Sequence, residues 1–152
     1  MVSSAEFLTT TPRFAMPLLF AGQAQKEVTV NEALTRVDLL LHGAIEGERT
    51  APPAAPALGS LWLVADDAQG EWLNRDGELA GWTEGGWRFV QPRAGMRLYD
   101  KELAVFRQFT LRWEVFSAPS APAGGAVIDS EARRAIAELF SILAKQGIFK
   151  FT

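Results

Sequence analysis

The sequence predicts an α+β fold: an N-terminal extended arm and helix, an antiparallel β core of short strands, and a C-terminal helix. Three observations predict it. Apolar residues recur at helical spacing in two separate stretches, around residues 30–41 and 132–143. Between them, alternating runs rich in Trp, Phe, Leu and Val are broken about every ten residues by Asp, Asn or Gly. Ahead of both, prolines interrupt an apolar segment.

Residues 1–22 carry Pro12, Pro17 and Gly22 among Phe14, Leu18, Leu19 and Phe20. Proline lacks the helical N–H donor and biases the residue before it toward extended backbone, so this segment reads as an arm. A helix is expected over about 29–42. Thr29-Val30-Asn31-Glu32 reads as its capping box, Val30, Leu34, Val37 and Leu41 as its apolar stripe, and Gly43 as its stop. Leu39 falls off that stripe, on the side of Glu32 and Arg36, and reads as an exposed leucine. Ala51 to Pro56 is stiff and extended.

The β region covers about 58–116. Its expected strands are Leu61–Val64, Glu71–Leu73, Leu79–Trp82, Trp87–Val90, Met96–Tyr99, Val105–Phe109 and Leu111–Phe116. Trp82 and Trp87 flank a Gly-bearing loop, a hairpin signal, and should lie together, at least half buried. After the Ala/Pro stretch of Ser117–Gly125, Asp129 caps a helix over about 129–146. Ala132, Ile136, Leu139, Phe140 and Leu143 form its stripe, Gly147 ends it, and Ile148–Phe151 suits a short edge strand. The organisation is thus an arm over 1–22 and one α+β domain over 23–152.

Composition narrows the chemistry. The 152 residues suit one domain, and they include no cysteine, which excludes disulfides, thiolate metal sites and thiol nucleophiles. A net charge of −3, with 15 Lys and Arg scattered among 18 acids, argues against nucleic acid as a partner. Met1–Thr11 has no basic region before an apolar run, and no apolar stretch approaches the ~20 residues of a membrane span. His42 is the sole histidine, and neither HExxH nor GxSxG occurs. Asp66, Asp67, Asp76 and Glu84 fall at turns, where local hydrogen bonding accounts for them. The expectation is a binding protein, not an enzyme, with no cofactor and no metal. Trp62, Trp72 and Trp82 recur at ten-residue spacing, and indole faces stack on sugars. Trp62 and Trp72 are the candidates for glycan contact.

One segment is more specific. Pro17-Leu18-Leu19 leads into Gly22-Gln23-Ala24-Gln25-Lys26-Glu27-Val28-Thr29-Val30-Asn31-Glu32-Ala33, with Asp38 following. This resembles the GQAQKxVTxNEA signature of a family of unknown-function domains from alphaproteobacterial prophages and gene transfer agents. Gly81-Trp82, Gly86-Trp87-Arg88-Phe89, Pro92-Arg93-Ala94-Gly95 and Val127–Arg133 resemble it too. Some members serve as head-spike proteins, others as the start of longer fibres. With no fibre sequence after its domain, the chain is expected to resemble the spike base.

The resemblance implies a structural adaptor of a phage-like particle, seating a head spike or fibre on the capsid and aiding attachment to the recipient cell. The implied partners are capsid protein, spike fibre protein and further copies of the chain, as a pentamer at a vertex. The implied location is the capsid surface of a particle assembled in the cytoplasm and released by lysis. Phe14, Leu18, Phe20, Gln23, Gln25 and Lys26 are the candidates for partner contact. Ala135 and Ile142, on the spare edge of the C-terminal helix, and Phe149 and Phe151 are the candidates for contact between copies. The alternative is a carbohydrate-binding module touching capsular polysaccharide directly.

Overall fold

A computed structural model of the chain describes residues 9–20, 22, 26–125 and 129–150. The fold is α+β: the described residues form helices α1 (Lys26–Leu40) and α2 (Ser130–Lys145) and eight short strands in two four-stranded sheets. Residues 23–152, read above as one domain, contribute to two compact units. The first comprises Met1–Gly43 and Glu48–Gln91, the second Ala44–Gly47 and Pro92–Thr152.

In the first unit the strands are β2 (Glu48–Arg49), β3 (Leu61–Val64), β4 (Leu79–Thr83) and β5 (Gly86–Val90), side by side in that order. β2 runs parallel to β3, while β3, β4 and β5 are antiparallel. Trp82 and Trp87 are direct cross-strand partners with ring centroids 4.9 Å apart, and both are half-buried. The hairpin expected from the sequence therefore forms, with its two indoles together as expected. Leu61, Leu63, Val64, Leu79, Ala80 and Trp72 make the core, joined by Leu39 from α1.

Four local expectations are corrected here. The helix begins at Lys26, not near Thr29, so the supposed capping box lies inside it. Its stripe lies mostly outward: Val30, Val37 and Leu41 are exposed, Leu34 is half-buried, and Leu39 is buried. The physical reason is Gly81 on β4, because a Cβ there would collide with the Leu39 Cδ1 methyl. The missing side chain opens a seat for that leucine, and burying it contributes about 1.5–3 kcal/mol. Finally, Glu71–Leu73 is no strand. Gly70–Trp72 forms a 3₁₀ turn that drives Trp72 inward and leaves Leu73 outside. The stop is also displaced by one residue, since His42 takes the left-handed backbone (φ 47°) assigned above to Gly43.

In the second unit β1 (Ala44–Ile45), β6 (Arg97–Asp100), β7 (Val105–Phe109) and β8 (Trp113–Val115) lie side by side in that order. β1 is parallel to β6 and the others are antiparallel. Among the described residues, Ile45, Leu98, Val105 and Phe149 are its buried apolar side chains. Both predicted ends of α2 hold. Asp129 accepts from the Ala132 N–H at 2.9 Å, and Gly147 takes a left-handed φ of 70°. The expected edge strand is reduced to one parallel bridge, Ser117 to Lys150, among the described residues.

Candidate functional site

The N-terminal arm is more closely tied to its own helix than its sequence suggests. From Thr9 to Leu18 the chain doubles back, closed by a Thr10–Pro17 bridge and by the Leu18 N–H on the Thr9 carbonyl. Asp38, fully buried in α1, receives this loop. Its Oδ1 accepts from the Thr11 hydroxyl (2.6 Å) and the Phe14 N–H (2.9 Å), and its Oδ2 from the Arg13 N–H (3.0 Å).

The end of α1 carries partial negative charge on its free carbonyls, and no basic residue lies in its last turn. Arg13 supplies the cation from the arm. Its guanidinium donates to the carbonyls of Asp38 (2.9 Å), Leu39 (2.6 Å) and His42 (3.2 Å).

A second fastening lies seven residues earlier on the same helix face. The Asn31 side chain accepts from the Leu19 N–H (2.9 Å) and donates to the Leu19 carbonyl (3.0 Å). Asn31 and Asp38 thus hold the arm at two points, mainly through its main chain.

Between the arm, α1 and the turn joining β4 to β5 lies a groove of about 730 Å³. Leu18, Leu19, Phe20 and Val28 form its apolar part, and Glu32, Glu84 and Arg88 its charged part. Arg88 on β5 reaches both Glu32 oxygens from Nε, at 2.9 and 3.0 Å, and Arg36 adds a contact at 3.2 Å. Burial alone would raise the Glu32 pKa, but the hydrogen bonds and charge of Arg88, then of Arg36, outweigh it and hold the carboxyl below its ordinary 4.5. Within it Glu32 and Arg88 are matched to each other, while Glu27 and Glu84 leave the lining net acidic. Among the described residues no three His, Cys, Asp or Glu gather as a metal site.

The candidates from the sequence are placed as follows. Phe14 and Phe20 are exposed on the arm, Leu18 is half-buried in the groove, and Lys26 is exposed at the first position of α1. Gln23, Gln25 and Phe151 lie outside the described residues. Ala135 and Ile142 are exposed on α2. Phe149 is buried edge-on against Phe140 at 5.9 Å, so its ring is used within its own unit and not for contact between copies.

Trp72 is 0% exposed, with Trp87 edge-on at 5.0 Å, so no sugar can stack on it. Trp62 is half-buried, and the Arg49 guanidinium sits 5.1 Å from its ring.

The pairings of Arg13 with Asp38, Asn31 with Leu19 and Arg88 with Glu32 are not visible in the sequence. The available signal was Asp38 itself, because an acid in the last turns of a helix opposes the dipole and calls for a partner.

A sequence model described as "Protein of unknown function (DUF2793)" matches residues 30–114, more than half of the chain, and the chain belongs to that family. The match takes in Asn31, Glu32, Asp38 and Arg88 and stops short of the arm. No curated protein matches the chain.

Proposed function

We propose that this member of the DUF2793 family is a structural adaptor of a phage-like particle, seating a head spike or fibre on the capsid and aiding attachment to the recipient cell. The observation that carries the reading is the arm. Polar contacts fix its main chain on α1, yet its large aromatic side chains face outward, with Phe14 42% and Phe20 73% exposed. Apolar side chains held in order and left in water mark a surface for a partner. The signature around Gly22–Ala33 points to capsid protein and spike fibre as the partners, and to the capsid surface as the place, with release by lysis.

Direct glycan binding finds less support, because Trp72 is sealed inside and Trp62 is covered by Arg49.

The test replaces Phe14 and Phe20 by Ala together. Both rings are exposed, so the melting temperature is expected to change little while incorporation into particles falls sharply. Normal incorporation of the double variant sinks the proposal.

A further inference from the structure

We infer that the groove beside α1 receives an extended segment of a partner protein in which a lysine or arginine stands among apolar residues. This deepens the adaptor reading by giving the chemistry of one partner. Its test needs only the purified chain and peptides, so the two can fail separately.

The groove has the size and surface for such a segment. It lies wholly within the first unit, and its volume of about 730 Å³ falls within the roughly 300–1,000 Å³ of ligand sites. Along α1 its lining runs from Glu27 to Thr35. At ~1.5 Å per residue that stretch is roughly 12 Å long. It has room for about four residues of extended chain at ~3.3 Å each. The apolar part is held in place and left in water. Phe20 is 73% and Val28 68% exposed, while Asn31 grips the main chain of Leu19 beside them. An apolar surface already fixed costs little further ordering when a partner covers it.

The sign of the occupant follows from what the lining leaves unpaired. Its charged residues are Glu27, Glu32, Glu84 and Arg88. Glu32 and Arg88 are spent on each other. Glu84 is exposed, and no described cation pairs with it. Glu27 takes the Gly22 N–H on one oxygen at 3.3 Å, but its Oε2 is out of water and meets no donor. A charge so placed is screened little and acts on the groove beside it. The hydroxyls add acceptors, not donors. Those of Thr11, Thr35 and Thr83 give their protons to Asp38 and to the carbonyls of Asn31 and Gly86. Arg88 turns Nε to Glu32 and Nη1 to the carbonyls of Gly85 and Trp87. What the lining chiefly offers is negative charge and oxygen lone pairs, which suit an ammonium or a guanidinium. Lys26 and Arg36, also on α1, do not line the groove, and Arg36 is committed to Glu32. An acidic segment would be repelled, and a wholly apolar one would cover both free glutamates without a partner.

The experiment selects random displayed heptapeptides on the full chain, then measures the strongest binder as a synthetic peptide by fluorescence anisotropy. The recovered sequences are expected to set Lys or Arg among apolar residues. Binding of the synthetic peptide should weaken with added salt, and about tenfold or more in the double variant Glu27→Gln, Glu84→Gln. Glu71→Gln is the control, because it removes an exposed acid of the same unit that does not line the groove. It should leave binding unchanged. Glu27 also stands in the first turn of α1, where an acid favours the helix, so melting temperatures are compared throughout. Glu84→Gln alone, at an exposed turn, should weaken binding about threefold or more with no change in melting temperature. Four results overturn the proposal: no peptide recovered, recovered peptides with no excess of Lys and Arg, equal binding by parent and double variant, or an equal loss in Glu71→Gln.

Discussion

Asp38 and Asp100 are both fully buried, one in each unit, and they are compensated in different ways. Asp100 faces the Arg107 Nε at 2.7 Å and accepts from the Leu103 N–H at 3.0 Å, partners three and seven residues away. It is a charge set against a charge, and it ties one hairpin of neighbouring strands. Asp38 instead accepts from three neutral donors, which lie 24 to 27 residues earlier in the chain. Loss of the first should be felt as loss of local stability, and loss of the second as release of a distant segment. A buried carboxylate is therefore informative about function through what it ties, not through its burial alone.

The largest effect is expected from Asp100→Ala. It removes the buried carboxylate that meets the Arg107 Nε at 2.7 Å, breaking a charge pair in a low-dielectric site. Destabilisation of about 3 kcal/mol is expected by chemical denaturation. The arm, in the other unit, should stay as resistant to protease as before. A loss below about 1 kcal/mol would show that the pair adds no more than an exposed one.

Asp38→Asn comes next, and it breaks the comparison from the other side. Asparagine keeps the shape but turns one acceptor oxygen into a donor, against a set of three donors. A stability loss of about 2 kcal/mol is expected, near the cost of an unmet buried polar group. The distinguishing readout is trypsin. Arg13 is the sole basic residue from Met1 to Gln25, and in the parent its guanidinium is spent on the α1 carbonyls. The variant should be cut after Arg13 well before the rest of the chain, as read by mass spectrometry. Equal cutting of parent and variant would mean that Asp38 does not hold the arm.

The sequence was most legible where structure is decided locally. The Asp129 cap, the Gly147 stop and the Trp82–Trp87 hairpin depend on neighbours within a few residues, and all three formed as read. Helix α1 was misread because its inner face is chosen by distant partners. Leu39 is buried because Gly81, 42 positions later, has no side chain. Asn31 and Asp38 face the arm because Leu19 and Thr11–Phe14 are there to bind. Periodicity took the outward strip of Val30, Val37 and Leu41 for the core, since an apolar stripe looks the same whether its partner is the same chain or another. Thr29–Glu32 matched a capping box inside a helix already under way, and the carboxylate meant for capping pairs with Arg88 instead. The candidate site was thus visible as a motif, while its geometry rested on pairings of high sequence separation.

Glu32 sharpens the comparison as a third carboxylate, on the same helix as Asp38 but about one-third exposed. It pairs with Arg88 and Arg36, as Asp100 pairs with Arg107, yet water screens it. Glu32→Gln should therefore cost only about 0.5 kcal/mol near neutral pH, within the range of exposed pairs. The pH dependence identifies the cause. The folded pKa lies below the ordinary 4.5, so the folded state favours the ionised carboxyl. Its contribution is complete above the unfolded value and is lost as pH falls through the folded one. The stability gap between parent and Glu32→Gln should be flat from about pH 7 down to about pH 5, then close progressively below about 4.5 as the parent takes up its proton. Denaturant midpoints across that range measure it. A gap that persists unchanged to about pH 2 would mean that glutamine fails for reasons of shape, and that the ion pairs with Arg88 and Arg36 contribute nothing to holding α1 on the hairpin.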